Sequence, residues 1–290
     1  MELGKINPKV ISLTADLGPS VRLTEFANEF PERYLNVGVA EANMIGIAAG
    51  LALEGFIPFC TSFAVFVPGR CFDHIRVSVC QNKANVKLVG SHYGFSNPGD
   101  GATAQSVEDL ALMLSLPEMV VICPADANQT KKAVKTVAEK EGPVYLRISR
   151  AETPVITRQA DNFEIGKAQV LKEGNKVTLI ACGSLVGEAL KAAEEIGGEV
   201  INLHTVKPLD QETILKSAKK TGRVITIEEH SVFGGMGSSV TKFLGQEHPI
   251  PVKVMGIPDV FGESARDYQE LLDKYGLNAE NIVKEVRKFK

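Results

Sequence analysis

Residues Tyr34 to Gly55, YLNVGVAEANMIGIAAGLALEG, read as a short buried strand (34–39) followed at Glu41 by a helix made largely of Ala, Gly and Ile. A strand that runs directly into a helix is the building unit of an α/β sheet, and ligands in such sheets sit beyond the carboxyl ends of the strands. The first helical turn is a favourable place for the Glu41 carboxylate, because unpaired backbone N–H groups gather there. That alone is an ordinary helix-terminal charge. The helix behind it is less ordinary. Gly46 and Gly50 lie four residues apart among Ala42, Ala48, Ala49 and Ala52. Each glycine costs roughly 1 kcal/mol against Ala inside a helix, so the pair predicts a second backbone packed close, at a seam between subunits. A lone carboxylate aimed into such a seam needs a partner or a proton.

The alternation continues along the chain. Strand-like runs at 10–15, 57–60, 86–90, 120–123 and 144–148 are interleaved with helical periodicity at 22–30, 66–81, 106–114 and 128–140. Residues 151–168 have mixed polarity and weak periodicity and read as a connection. A second α/β unit follows. Its strands are VTLIACG, EVINLHTV, RVITIEEH and IPVKVMGI, its helices start near Leu185, Gln211 and Gly235, and two more helices close the chain. Strands alternating with helices of 10–15 residues indicate doubly wound, mainly parallel sheets. The sequence therefore predicts two α/β domains, 1–155 and 169–290, joined by a linker at 156–168.

A chain of 290 residues with 44% hydrophobic and 23% charged residues has the balance of an ordinary globular protein. With a net charge of −3 and no Lys/Arg-rich run before the terminal KEVRKFK, nucleic acid is not expected as the main ligand. The five cysteines form no CxxC pair, and the histidines form no zinc-like cluster. The charged start does not read as a signal peptide, and no apolar run reaches the roughly 18 residues of a membrane span. A cytoplasmic protein with neither membrane nor nucleic-acid partner is the expectation.

Several polar residues fall where an α/β ligand site belongs. His92 directly follows the apolar run VKLVG, and Asp100, Arg147, Arg150 and His230 lie near other strand ends. Each also has an ordinary reading: a loop histidine bonded to backbone, an aspartate capping a turn, an arginine paired with a surface carboxylate. Gly99-Asp100-Gly101 followed by Asn128 resembles the magnesium–diphosphate motif of thiamine diphosphate enzymes. Here, however, the GDG lies inside a long loop and Asn128 starts a helix, so no metal site is assigned to this chain.

Taken together, VGVAEANM, CTSFAVFVPGRCFDHIR, GSHYGFSNPGDGATAQSVEDLALM, PADA, LRISR and EEHSVFGGMGSS stand in the order and at roughly the spacing of transketolases. Nearly the whole chain resembles the C-terminal half of that family, a pyrimidine-binding domain followed by a C-terminal domain. The half that carries diphosphate and magnesium binding is missing. The resemblance implies one subunit of a split enzyme that uses thiamine diphosphate and Mg²⁺, with the metal ligands on an N-terminal partner subunit. It also implies a homodimer within a heterotetramer, and ketol transfer between sugar phosphates.

By the same resemblance, Glu41 matches the glutamate that bonds the aminopyrimidine ring nitrogen and favours the tautomer that activates the thiazolium carbon. Phe66 matches the aromatic stacked on the pyrimidine, Phe63 lines the same pocket, and Asp16 lies near the cofactor at the interface. His92, a candidate catalytic residue with Glu41, also matches the groups that hold the sugar phosphate, with Ser20, Asp100 and Arg150. Where some members carry His or Gln after the DG loop, this chain has Ala104-Gln105. Either that role passes to Gln105 or the contact is missing. A deoxyxylulose-phosphate synthase or 2-oxo acid dehydrogenase component, or a non-catalytic partner of the same fold, are the alternatives.

Overall fold

Aliphatic and β-branched runs too short for helices form the strands of the computed structural model, which describes residues 1–289. The first unit contains β1 (Val10–Thr14), β2 (Tyr34–Asn36), β3 (Ile57–Phe63), β4 (Lys87–Ser91), β5 (Val120–Ile122) and β6 (Val144–Ile148). The second contributes β7 (Gln169–Lys172), β8 (Thr178–Ala181), β9 (Glu199–Asn202), β10 (Thr205–Lys207), β11 (Val224–Ser231) and β12 (Val252–Ile257). They assemble into a seven-stranded sheet ordered β10-β5-β6-β4-β3-β1-β2 and a five-stranded sheet ordered β12-β11-β8-β9-β7. Pairing is parallel throughout except at β10 and β7, which run antiparallel at sheet edges.

Helices α1 (Glu2–Ile6), α2 (Thr24–Glu29), α3 (Glu41–Leu53), α4 (Val67–His74), α5 (Asp109–Ser115) and α6 (Ala127–Glu139) pack on the first sheet. A π-helical turn over Ile75–Cys80 extends α4, so the helical reading of 66–81 holds with a change of pitch. Helices α7 (Val186–Ile196), α8 (Gln211–Thr221), α9 (Met236–Glu247), α10 (Tyr268–Lys274) and α11 (Ala279–Lys288) belong to the second unit. Aspartate or asparagine caps start α6, α8, α10 and α11 (Asp126, Asp210, Asp267 and Asn278), each accepting the backbone N–H three residues on. Such a cap contributes about 1 kcal/mol. Among the described residues, no helix is long and apolar enough to cross a membrane, and all five cysteines are buried and free.

Three local readings change. The strand at 34–39 is not buried: β2 is the edge strand, pairs only with β1, and leaves Val39 74% exposed. A sequence run cannot reveal whether its strand has a neighbour on one side or two. The run EVINLHTV is two strands. Its first half, β9, lies inside the second sheet, whereas β10 crosses over to pair with β5 of the first. The buried His204 sits at the crossing, stacked on Phe163 with centroids 4.4 Å apart. The division between units in sequence is therefore not the division between sheets. Finally, α1 and β7 occupy stretches that had no predicted element.

The glycines of α3 also take on a definite meaning. A Cβ at Gly46 or Gly50 would meet nothing within 4 Å, so the close backbone neighbour they predict is not supplied by this chain.

Candidate active site

Four strand ends converge on one cavity of about 550 Å³. It is lined by Ser20 and Arg22 after β1, Phe63 at the end of β3, and Ser91 and His92 at the end of β4. Asn97 and Asp100 come from the loop that follows, and Ile148 to Arg150 from the end of β6. These are carboxyl ends of parallel strands, where helix starts and loops leave room for a ligand.

His92 is buried and holds φ at 60°, a left-handed conformation that a non-glycine residue keeps only when its surroundings enforce it. Its ring stacks on Phe63 with centroids 3.9 Å apart, and Nδ1 lies 2.9 Å from the Ser91 hydroxyl. Burial, then the neighbouring Arg150 charge, push its pKa down to about 4 against the upward pull of Asp100. At neutral pH the ring is uncharged, with one nitrogen able to donate and the other to accept.

From His92 a row of stacked groups leads to α3. Phe66 lies beside Phe63 at 5.7 Å, the Arg70 guanidinium covers Phe66 at 4.1 Å, and Arg70 Nη1 donates to Glu41 Oε1 at 2.9 Å. The partner that the Glu41 carboxylate needed is thus an arginine at sequence distance 29. Glu41 is only 5% exposed, and among the described residues no protein donor reaches its second oxygen. A buried carboxylate with one free oxygen, beside a half-buried aromatic face, suits the aminopyrimidine end of thiamine diphosphate. Its other end finds no such match: among the described residues no group of His, Cys, Asp or Glu side chains is placed to hold a metal.

The remaining candidates divide. Ser20, Asp100 and Arg150 line the cavity with His92 and Phe63, and Asp100 accepts from Asn97 Nδ2 at 2.6 Å. Asp16 lies on the exposed turn after β1, its carboxylate accepting from Asn36 Nδ2 at 3.2 Å, outside the cavity lining. Gln105 is turned away from the cavity. Its amide donates to the Glu263 carbonyl at 2.9 Å and the Asn97 carbonyl at 3.4 Å, tying the Gly-rich loop to the second domain. As placed, Gln105 holds the loop and does not line the site. Asn128 donates to the Thr157 carbonyl at 2.8 Å.

Arg147 does not meet a surface carboxylate. Fully buried, it forms a two-pronged pair with the equally buried Asp109, Nε–Oδ2 2.7 Å and Nη2–Oδ1 2.9 Å. It also donates to the Glu229 carbonyl at 2.9 Å and lies over the Tyr93 ring. The Glu229 carboxylate accepts from Phe95 N at 2.6 Å, from Ser184 Oγ at 2.7 Å and from the Tyr268 hydroxyl. His230, also buried, accepts from Ala111 N at 3.2 Å through Nε2, while Nδ1 faces the Ser231 carbonyl at 2.7 Å. This network joins the two domains behind the site. Arg70, Arg22 and Asn97 were not singled out from sequence, and a cation two to four residues from an assigned group is the only signal that marks the first two.

Comparison with known proteins identifies the two domains. The family model for the transketolase pyrimidine-binding domain matches residues 1–155, and that for the transketolase C-terminal domain matches residues 166–282. A 6-deoxy-6-sulfo-D-fructose transketolase subunit of Clostridium sp. is 43% identical over 290 residues, covering 98% of this chain and 89% of that protein. A putative transketolase C-terminal section of Methanocaldococcus jannaschii is 44% identical, covering 99% and 92%. A solved structure described as a split-gene transketolase, an inactive β4 tetramer, superposes with a TM-score of 0.89 at 46% identity, covering 99% of this chain and 94% of that one. The chain belongs to the transketolase family, of which it carries the pyrimidine-binding and C-terminal domains.

Proposed function

We propose that this chain is the C-terminal subunit of a split, thiamine-diphosphate-dependent transketolase that transfers a two-carbon ketol unit from a ketose phosphate to an aldose phosphate. The observation that carries the reading is the stacked row from Glu41 to His92, which links a cofactor-activating carboxylate to a cavity with the chemistry of a sugar phosphate site. When bound, the cofactor supplies the carbon nucleophile that accepts the ketol unit. Glu41, with one oxygen held by Arg70, presents the other to the pyrimidine ring and shares its proton. Phe66 and Phe63 supply the flat apolar wall. His92, neutral in its buried position, exchanges hydrogen bonds with the hydroxyls and carbonyl of the sugar without adding charge. Asp100 accepts from a hydroxyl, and Arg150 and Ser20 hold the phosphate. The N-terminal partner brings the diphosphate and Mg²⁺ ligands, and the open glycine face of α3 lies at the seam. A cytoplasmic location and assembly as a homodimer within a heterotetramer are part of the same proposal.

The test is to mix the chain with an N-terminal transketolase subunit, thiamine diphosphate and Mg²⁺, and assay transfer from xylulose 5-phosphate to ribose 5-phosphate. Activity should require both chains and fall about 10²- to 10⁴-fold in Glu41→Ala, the usual cost of losing a proton-transfer group. A stable complex inert with these sugars but active with pyruvate would move the assignment to the pyruvate-using relatives.

A further inference from the structure

Arg22 belongs to none of the motifs that mark the family, yet it occupies a singular position. It lines the cavity described above and also a second one of about 600 Å³ on the other side of the β6 exit. The two cavities share Arg22, Ile148, Ser149 and Arg150, so the two arginines flank the boundary between them. Among the described residues neither guanidinium has a carboxylate within ion-pair distance or a hydrogen-bond acceptor. Lys131, the other cation of the second cavity, pairs with Glu2 at 2.7 Å. Arg22 is also held in place at a cost. Its φ is 59°, a backbone conformation suited to glycine, and it closes a tight turn in which its N–H donates to the Pro19 carbonyl at 3.1 Å and Leu23 N to the Gly18 carbonyl at 2.8 Å. That turn also carries Ser20 into the cavity.

Two guanidiniums that line the same cavity without an acidic partner favour an anion there, and planar forks suit a tetrahedral oxyanion with two charges. We infer that Arg22 is a specificity-determining residue that reads the terminal anion of the sugar together with Arg150, favouring a phosphate dianion over a neutral terminus. The inference rests on the reading of the cavity as a ketose phosphate site, so binding is measured apart from turnover.

The experiment uses the complex with the N-terminal subunit and Mg²⁺, its thiamine diphosphate replaced by a non-reactive analogue so that the ketose binds without being cleaved, and titrates xylulose 5-phosphate and the neutral ketose erythrulose by calorimetry. In Arg22→Gly the affinity ratio of xylulose 5-phosphate to erythrulose should fall about 10- to 100-fold, the loss expected for a charge-assisted contact. Arg22→Lys should fall in between, because a point charge replaces the fork. The melting temperature of Arg22→Gly should equal or exceed that of the native chain, since glycine accepts φ of 59° without strain. An unchanged ratio, a fall in melting temperature as the main effect, or no binding of xylulose 5-phosphate by the native complex would each overturn the inference. A native complex that binds xylulose 5-phosphate through Arg22 but turns over neither sugar would uphold it and sink ketol transfer instead.

Discussion

Arg147 and Arg150 leave the same strand three residues apart and have opposite surroundings. Arg147 points back into the seam between the domains, where Asp109 and the Glu229 carbonyl satisfy it and water is excluded. Arg150 points out to the cavity at the strand ends, exposed and without an acidic partner. The contrast extends to the regions around them. In the seam every charged group has its counterpart inside the chain: Arg147 with Asp109, Glu229 with Ser184, Tyr268 and the Phe95 N–H, Glu228 with two backbone N–H groups at the start of α9. At the strand ends the cations Arg22 and Arg150, the second oxygen of Glu41 and the glycine face of α3 are left open. Polar groups closed on themselves report stability, and polar groups left open report what the chain is built to meet.

The comparison predicts a clean exchange of phenotypes. Arg147→Met leaves the Asp109 charge buried without its cation, with only the Tyr145 hydroxyl still donating to it, which typically costs about 3–5 kcal/mol; a denaturant titration reads this directly. Arg150→Met should change stability by less than about 0.5 kcal/mol, as exposed substitutions do, while weakening xylulose 5-phosphate binding. Equal destabilisation by both would remove the distinction. Gly94→Ala attacks the seam from its backbone. Gly94 has φ of 57°, and a Cβ there would stand 2.3 Å from Glu229 Oε1. The expected loss exceeds about 1 kcal/mol, seen as a lower melting temperature, with Phe95 N losing its bond to the displaced carboxylate.

Acid probes the molecule differently, through two histidines whose pKa burial depresses to about 4, His92 at the cavity and His204 at the crossing strand, while burial lowers that of His230 in the seam in the same sense. The unfolded chain binds these protons near pH 6.5 and the folded chain does not. Stability therefore falls as pH drops from about 6.5 to 4, by at most about 1.4 kcal/mol per pH unit for each histidine. Glu228 acts in the opposite sense. Burial raises its pKa to about 7, so its contribution is full below the unfolded value and is lost as pH rises toward 7. His204→Asn should make the acid limb of a stability curve shallower by one proton. A bound sugar phosphate should raise the pKa of His92 and leave that of His204 unchanged, read by NMR titration. A shift of both would mean that the cavity and the crossing strand are not electrically separate.

Much of this was legible beforehand. The Glu41 helix start, the strand before His92 and the α/β order follow from local periodicity, which is a property of neighbours in sequence; Phe63, Phe66 and Arg150 were marked only by the family resemblance, and β3 runs on to Phe63, three residues past the end its apolar run predicts. What was not legible depends on distant pairs. Asp109 and Arg147 are 38 residues apart, Glu41 and Arg70 are 29, and Gln105 reaches Glu263 across 158. Nothing in a run such as EVINLHTV records that half of it will join another sheet, since both halves are equally apolar and only the packing of His204 and Phe163 at the crossing separates them.

The open side of the comparison is tested most directly on α3. Gly46 and Gly50 face outward on α3, where a Cβ would touch nothing in this chain. If the glycines serve only this chain, they are a defect: replacing each by Ala should raise its stability by about 1 kcal/mol, the ordinary helix-propensity difference. If they serve a seam, the same methyl groups hold two backbones apart. The isolated Gly46→Ala/Gly50→Ala chain should then melt at a higher temperature than the native chain and yet associate more weakly, as read by sedimentation with the N-terminal subunit. Stabilisation with undiminished association would place the seam on another face, and the exposed Val39 at the start of α3 would be the next position to substitute. Stability gained alone and association lost together is the signature of a surface kept imperfect for a partner.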